Sequence, residues 1–241
     1  MPGNGMAFDG TCDGKHVLII LRDSSRRLTL PALTFSAASA GFWWIAANVE
    51  PGGALTSMDV GIATWLHRHA VPAMTKAMIV ISFLGAPSTL TVVSTLVCTV
   101  LLGMRMYGRS VDVATLVLGG NLLNYGLKLL MHRGRPAFDD PLLTLSSYSF
   151  PSGHAMASTV FYGFVLACVL PIPKPRRSVA IAGGIVMIAL VCFSRVYLGV
   201  HYVSDVLAGI LEAIAWSTLM LAALRLAHEY RRNGDLQGRA E

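Results

Sequence analysis

Charge is scarce in this chain. Only 13% of its 241 residues are Asp, Glu, Lys or Arg, against about a quarter in an average soluble domain. Such a composition argues against a water-soluble globule. Cysteine is scarce as well, and Cys12, Cys98, Cys168 and Cys192 show no motif spacing. Three of them fall inside apolar runs, where a thiol acts as a small buried hydrophobe, so neither a disulfide frame nor a zinc site is indicated. No cluster of carboxylates is present that would hold Mg²⁺. The formal charge of +6 does not speak for nucleic acid, because the basic residues are scattered and no aromatic-rich basic patch accompanies them. Met1 to Asp13 contain no Lys or Arg, so the basic start of a cleaved signal is missing. No internal repeat, low-complexity tract or interdomain linker interrupts the chain, which reads as one domain.

What the sequence has is apolar length. Hydrophobic residues make up 54%, mean hydropathy is +0.59, and six segments reach spanning length: about 28–48, 80–103, 111–131, 154–171, 177–194 and 203–226. A spanning helix needs roughly 20 residues at about 1.5 Å rise each, and backbone facing lipid must bond within its own segment. The expected fold class is therefore all-α, a polytopic membrane protein with six transmembrane helices. Residues 1–27 form a cytoplasmic N-terminal segment, 28–226 the membrane domain, and 227–241 a cytoplasmic tail. Val17 to Leu21 is too short to span and receives no role. Residues 49–79 make the longest outer connection, where Asp59, Trp65, Leu66, His67, Arg68 and His69 mix types as an interfacial helix does.

The basic residues orient this arrangement. With a cytoplasmic N-terminus, thirteen of the nineteen Lys and Arg lie inside, leaving only Arg68, Lys76, Lys128, Arg133, Arg135 and Arg195 outside. Positive charge collects on the cytoplasmic side. Both termini are thus expected in the cytoplasm, helix 1 as an uncleaved anchor, and the polar clusters on the opposite face.

Three such clusters follow one another. Lys128 and Arg135 are seven residues apart, hence on one helical face about 10.5 Å apart along the axis. Pro136 pushes Arg135 out of helical geometry, so the helix end can turn both cations toward one anion. Alone, the pair reads first as two side chains snorkelling at the interface. Pro151-Ser152-Gly153-His154 opens a helix with unobstructed backbone N–H groups, an anion site, or else a plain junction capped by Ser152. His154 there would stand beside a bound anion as a proton donor. In the third cluster His201 and Asp205 are four apart and share a face at the outer start of helix 6. Asp205 can hold one imidazole nitrogen as N–H and leave the other free, with Arg195 closing helix 5 nearby. The three clusters together point to phosphate gripped by cations and passed through a covalent histidine intermediate.

The spacings Lys-x6-Arg-Pro, Pro-Ser-Gly-His and Ser-Arg-x5-His-x3-Asp, eleven specified residues between Lys128 and Asp205, resemble the signature of the type 2 phosphatidic acid phosphatase (PAP2) superfamily. That family includes integral-membrane lipid phosphatases and, on the same helical core, soluble vanadium-dependent haloperoxidases. The resemblance implies that His201 attacks phosphorus, Asp205 orients and charge-stabilises it, and His154 protonates the leaving oxygen. Lys128, Arg135 and Arg195, with Ser152 and the backbone N–H of Gly153, would hold the equatorial phosphoryl oxygens. It implies no metal and no other cofactor, since fixed cations and dipoles stabilise the transition state.

The expected activity is a metal-independent lipid phosphate phosphatase of the bacterial inner membrane, its site on the outer face and its partners the lipid phosphate substrate and membrane lipids. The family's substrates include undecaprenyl diphosphate, phosphatidylglycerophosphate, phosphatidic acid and lipid A phosphates. The short connection from Ala137 to Phe150 favours a small head group, and outer-facing geometry puts undecaprenyl diphosphate first. A haloperoxidase is disfavoured by the spanning helices, and a non-catalytic lipid-binding or transport protein remains the alternative of another class. Beyond the signature, Glu212 lies seven residues past Asp205, about 10 Å deeper on nearly the same helix face. It is expected to face the bundle and to pair with Asn121 or Asn124 as a structural polar contact.

Overall fold

Apolar sequence of this length satisfies its backbone in helices, and the computed structural model, which describes residues 14–169 and 173–237, contains no strand among the described residues. Its helices are α1 (Gly14–Asn48), α2 (Ala54–Arg68), α3 (Pro72–Leu84), α4 (Pro87–Gly103), α5 (Tyr107–Ala114), α6 (Gly120–Met131), α7 (Gly153–Val169), α8 (Lys174–Tyr197) and α9 (Val203–Gln237). A π-helical turn at Thr115–Gly119 joins α5 to α6.

Among the described residues five stretches are long and apolar enough to cross a bilayer: Leu28–Asn48, Pro72–Gly103, Tyr107–Met131, Lys174–Tyr197 and Val203–Glu229. No more than 28% of any of these windows is buried. The remainder is an apolar exterior, with Leu33, Trp44, Val80, Leu96, Leu122 and Val179 all exposed, and a surface of that kind is suited to lipid rather than water.

Five of the six expected segments thus reappear, the first with the expected bounds and the other four with altered ends. The second begins at Pro72 rather than near residue 80 and is interrupted, because Pro87 at the first position of α4 has no N–H to continue the ladder of α3. The outer connection expected over 49–79 consequently holds α2 and the first half of α3. The segment expected at 154–171 corresponds to α7, whose 17 residues reach only about 25 Å. Residues 170–172 lie outside the described residues, as do residues 1–13, on which the absence of a signal was argued. Val17 to Leu21 is part of α1, and α9 runs on through the expected tail to Gln237.

Helix α9 is the axis of the packing, with α1 and α7 along it, while α8 lies on α7 and α3. Leu116, Val117, Met156, Val160 and Ala213 form one core cluster between the π-turn, α7 and α9. Phe42, Ile45, Phe150 and Ala208 form another beneath the 147–152 loop. Close approach at that end depends on Gly209, where a Cβ would stand 2.5 Å from the Ser152 carbonyl oxygen. The turn between α8 and α9 depends on Gly199, whose φ of +67° is unfavourable for other residues and whose face is covered by the Phe138 ring. Those two contacts bring the 147–152 loop and the start of α9 together.

Candidate active site

At that junction the interior becomes polar. Asp59, Ser149, Ser152, Ser194 and Asp205 are wholly buried, and Arg195, His201 and Ser204 nearly so. Buried groups of this kind are tolerated when their hydrogen bonds are made, so the partners of each define what the site can do.

His201 sits in the turn ahead of α9, with its backbone N–H donating to the Arg195 carbonyl at 3.3 Å. The expected pairing with Asp205 is present, Nδ1 lying 3.5 Å from Oδ2. Its geometry differs from the expectation in one respect: α9 begins at Val203, so His201 precedes the helix instead of riding on it. The cause is local, since Asp205 Oδ2 accepts the Tyr202 backbone N–H at 2.9 Å and that carboxylate closes the first turn of α9.

The tautomer of His201 follows from its other nitrogen. Arg135 Nη1 lies 3.2 Å from Nε2, and a guanidinium only donates. Nε2 is therefore the acceptor, and the neutral ring carries its proton on Nδ1, toward Asp205. Burial pushes the imidazole pKa down to about 3, with the Arg135 and Arg195 cations acting in the same direction and Asp205 opposing them. A neutral ring with an N–H held on one side and a lone pair on the other is a competent nucleophile.

Helix α6 ends at His132, which adopts the left-handed conformation (φ 49°) and donates its N–H to the Lys128 carbonyl. Arg135 accordingly lies past the helix end, as Pro136 implied. Both cations hold the 147–149 loop. Lys128 Nζ donates to the carbonyls of Tyr148 (2.8 Å) and Ser149 (3.2 Å), while Arg135 donates to the Ser147 carbonyl (2.7 Å), the Ser147 hydroxyl (3.0 Å) and the Tyr148 and Val200 carbonyls.

The Pro-Ser-Gly-His turn corrects one detail of the sequence reading. The Ser152 backbone N–H is not open to an anion, because it donates to the Asp205 carbonyl at 2.9 Å. Capping by Ser152 is not realised either, since Ser152 Oγ is buried without a hydrogen-bond partner among the described residues. Gly153 is the first residue of α7, so its N–H precedes the helix's own ladder. Arg195 Nη1 donates to Ser82 Oγ, leaving its Nε and Nη2 buried and unpartnered among the described residues. His154 lies within electrostatic reach of Arg195, His201, Arg135 and Lys128. The turn thus offers a hydroxyl and a helix-start N–H, and Arg195 two guanidinium nitrogens, unpaired among the described residues and suited to phosphate oxygens.

All eight residues expected from the sequence are accounted for at or around this junction. Two others were missed. Arg133 Nη1 contacts Asp205 Oδ1 at 2.6 Å, and its Nη2 contacts Asp59 Oδ2 at 3.0 Å. From the sequence, Asp59 reads as one of the interfacial residues of the 49–79 connection and Arg133 as one of the outer basic residues. The signal available was Asp59 itself, the one acidic residue in a helix otherwise without any. Among the described residues no group of three or more His, Cys, Asp or Glu could hold a metal ion.

The chain is also similar to known proteins. The sequence pattern described as the PAP2 superfamily matches residues 109–228. A Bacillus subtilis (strain 168) protein named phosphatidylglycerophosphatase B is 38% identical over 175 residues, which cover 70% of this chain and 84% of that protein. Rattus norvegicus sphingosine-1-phosphate phosphatase 1 is 38% identical over 73 residues, 29% of this chain and 16% of that protein. The crystal structure of a transmembrane PAP2 type phosphatidylglycerolphosphate phosphatase from Bacillus subtilis superposes with a TM-score of 0.68 at 31% identity, over 78% of this chain and 94% of that one.

Proposed function

The chain belongs to the PAP2 superfamily and is a membrane lipid phosphatase, and from that premise we propose that it hydrolyses the terminal phosphomonoester of a phosphatidylglycerophosphate-type lipid through a phosphohistidine on His201. The observation that carries the mechanism is the polarisation of His201, with Nδ1 facing Asp205 and Nε2 facing the cations.

In the first step the Nε2 lone pair attacks phosphorus and the bond from phosphorus to the lipid oxygen breaks. His154 gives that oxygen its proton. Asp205 stabilises the positive charge that the ring acquires as the N–P bond forms. In the resting protein Arg135 Nη1 covers the Nε2 lone pair, so an arriving phosphate has to draw this donor onto one of its own oxygens. Arg135, Arg195, Lys128, Ser152 Oγ and the Gly153 N–H then hold the equatorial oxygens, where charge gathers in a loose transition state. In the second step water attacks phosphorus, the N–P bond breaks, and His154 takes the proton from water, releasing orthophosphate.

The substrate assignment departs from the first expectation. Undecaprenyl diphosphate rested on the orientation of the site alone, and the names of both relatives denote lipid phosphomonoesters. Phosphatidylglycerophosphate, expected from the sequence only as an alternative, is the substrate in the name of the relative matched over most of its length. Placement follows the basic residues: six spans including the shorter α7, both termini cytoplasmic, and the site on the outer face of a bacterial inner membrane.

The test is phosphate release by the purified protein in detergent with a chelator present. Phosphatidylglycerophosphate, phosphatidic acid, undecaprenyl diphosphate and a lipid A phosphate are compared by kcat/KM. The highest value is expected for phosphatidylglycerophosphate. A tenfold or greater preference for undecaprenyl diphosphate would restore the first expectation, and turnover of none would return the chain to the non-catalytic class.

A further inference from the structure

Arg133 occupies no signature position, yet it is held between two buried carboxylates at the site. Its side chain is 9% exposed and bridges two carboxylates with no exposure at all, those of Asp205 and Asp59. Ser204 closes the arrangement: its hydroxyl accepts from Arg133 Nη1 at 2.7 Å and donates to Asp59 Oδ2, while its backbone N–H donates to Asp59 Oδ1 at 3.1 Å. The guanidinium carbon lies 4.4 Å from the centre of the Tyr202 ring.

Fold stability alone gives a weak reason for this assembly, because apolar residues of equal volume often serve as well as a buried ionic cluster. What the chain of contacts does is end on the nucleophile's partner. Asp205 Oδ2 is shared by Ser149 Oγ, the Tyr202 N–H and His201 Nδ1, and Oδ1 is taken by Arg133. With both oxygens held, the carboxylate cannot rotate, and its plane fixes the imidazole. Charge points the same way. Arg133 facing Asp205 alone would cancel the negative charge that the ring needs when it becomes cationic, whereas Asp59 takes up part of that guanidinium. Two carboxylates and one guanidinium leave one negative charge beside the ring, opposite the cations Lys128, Arg135 and Arg195.

We propose that Arg133 and Asp59 are positioning residues for phosphoryl transfer, a buried carboxylate–guanidinium–carboxylate chain that locks Asp205 and through it aims His201 Nε2 at phosphorus. The inference rests on the reading of His201 as the nucleophile. It also gives α2 a function beyond lying at the interface, since Asp59 is the residue through which α2 reaches the chemistry.

The test compares Arg133→Gln, Arg133→Lys, Asp59→Asn and the double variant Asp59→Asn/Arg133→Gln in detergent, with dioctanoyl phosphatidic acid as the probe and His201→Ala in parallel. Both neutralising single variants should lose roughly 10- to 100-fold in kcat, the scale of a sub-ångström to ångström misplacement of a reacting group. KM and the inhibition constant of inorganic phosphate should stay within about threefold, because the anion-binding groups are untouched. The double variant should be no worse than the poorer single one, as residues acting in one chain are non-additive. Arg133→Lys should recover part of the kcat, since its ammonium reaches Asp205 without bridging both carboxylates. Should Arg133→Gln not fold, Asp59→Asn is read by the same criteria. Unchanged kcat, a loss confined to KM and phosphate affinity, additive losses in the double variant, or a loss that vanishes on assay well below each variant's Tm would each overturn the assignment. Retained turnover in His201→Ala would instead sink the nucleophile reading, so the two failures are distinguishable.

Discussion

Asn124 Nδ2 donates to Glu212 Oε2 at 2.7 Å in the buried interior, tying α6 to α9. Of the two partners expected for Glu212 from helix geometry, Asn124 is the one used. Asn121 turns the other way and donates to Thr91 Oγ1 of α4 at 2.9 Å. The opposite end of the same amide, Oδ1, lies where a Cβ on Gly153 would come within 3.0 Å. Asn124 thus buttresses the turn at Gly153 from behind while it anchors α9.

Glu212→Gln keeps an acceptor for Asn124, so it should retain both thermal stability and most of the activity. Glu212→Leu leaves a buried amide donor unpaired, a cost of about 1–3 kcal/mol, and should lower Tm in detergent. A Glu212→Gln protein that folds normally yet has lost most phosphate release would show that the carboxyl group itself takes part in the reaction.

His201→Ala should abolish phosphate release and the acid-labile phosphoenzyme, since among the described residues His201 is the one imidazole set between Asp205 and Arg135. His154→Ala should cost about 10²- to 10⁴-fold with a lipid substrate, the usual scale for a positioned general acid, and distinctly less with an activated aryl phosphate. Equal losses on the two substrates would remove His154 from the leaving-group role.

The depressed pKa of His201, about 3, carries a stability consequence. In the unfolded chain a histidine titrates near 6.5, so between these values the unfolded state binds more protons than the folded one and stability rises with pH. The contribution is unpenalised above about 6.5 and worsens as pH falls toward 3. Tm in detergent should therefore drop between pH 7 and pH 5 more steeply in the parent protein than in His201→Asn. Parallel curves for the two proteins would contradict a neutral, buried His201.

Most of the site was readable because its residues sit at helix ends, where apolar runs stop and the spacing is short. Lys128, Arg135, Ser152, Gly153, His154, Arg195, His201 and Asp205 stand in three short clusters whose joint spacing, more than any one of them, carries the resemblance to the PAP2 signature. What could not be read depends on contacts between distant segments. Asp59 and Arg133 are 74 residues apart, and no periodicity links them. The start of α3 was hidden by Lys76, which breaks the apolar run four residues after Pro72, although the helix continues through it. The place of His201 ahead of α9 depends on the Asp205 carboxylate bonding to the Tyr202 N–H, a choice between the helix and its cap that the four-residue spacing alone leaves open.

The side of the membrane that holds the site is open to a direct experiment. Ser146 lies exposed in the loop between α6 and α7, and Ser178 is exposed in the second turn of α8, at the other end of the bundle. The thirteen-to-six division of Lys and Arg puts Ser146 outside and Ser178 inside. In a variant with Cys12, Cys98, Cys168 and Cys192 replaced, Ser146→Cys should react with an impermeant thiol reagent in intact cells. Ser178→Cys should react only after the membrane is opened. The opposite pattern would turn the protein over, because Ser146 shares its loop with Ser147 and Ser149, which are bonded to Arg135 and Asp205 of the candidate site. The phosphate would then be removed at the cytoplasmic face, and any lipid presented only to the outer leaflet would be excluded as substrate.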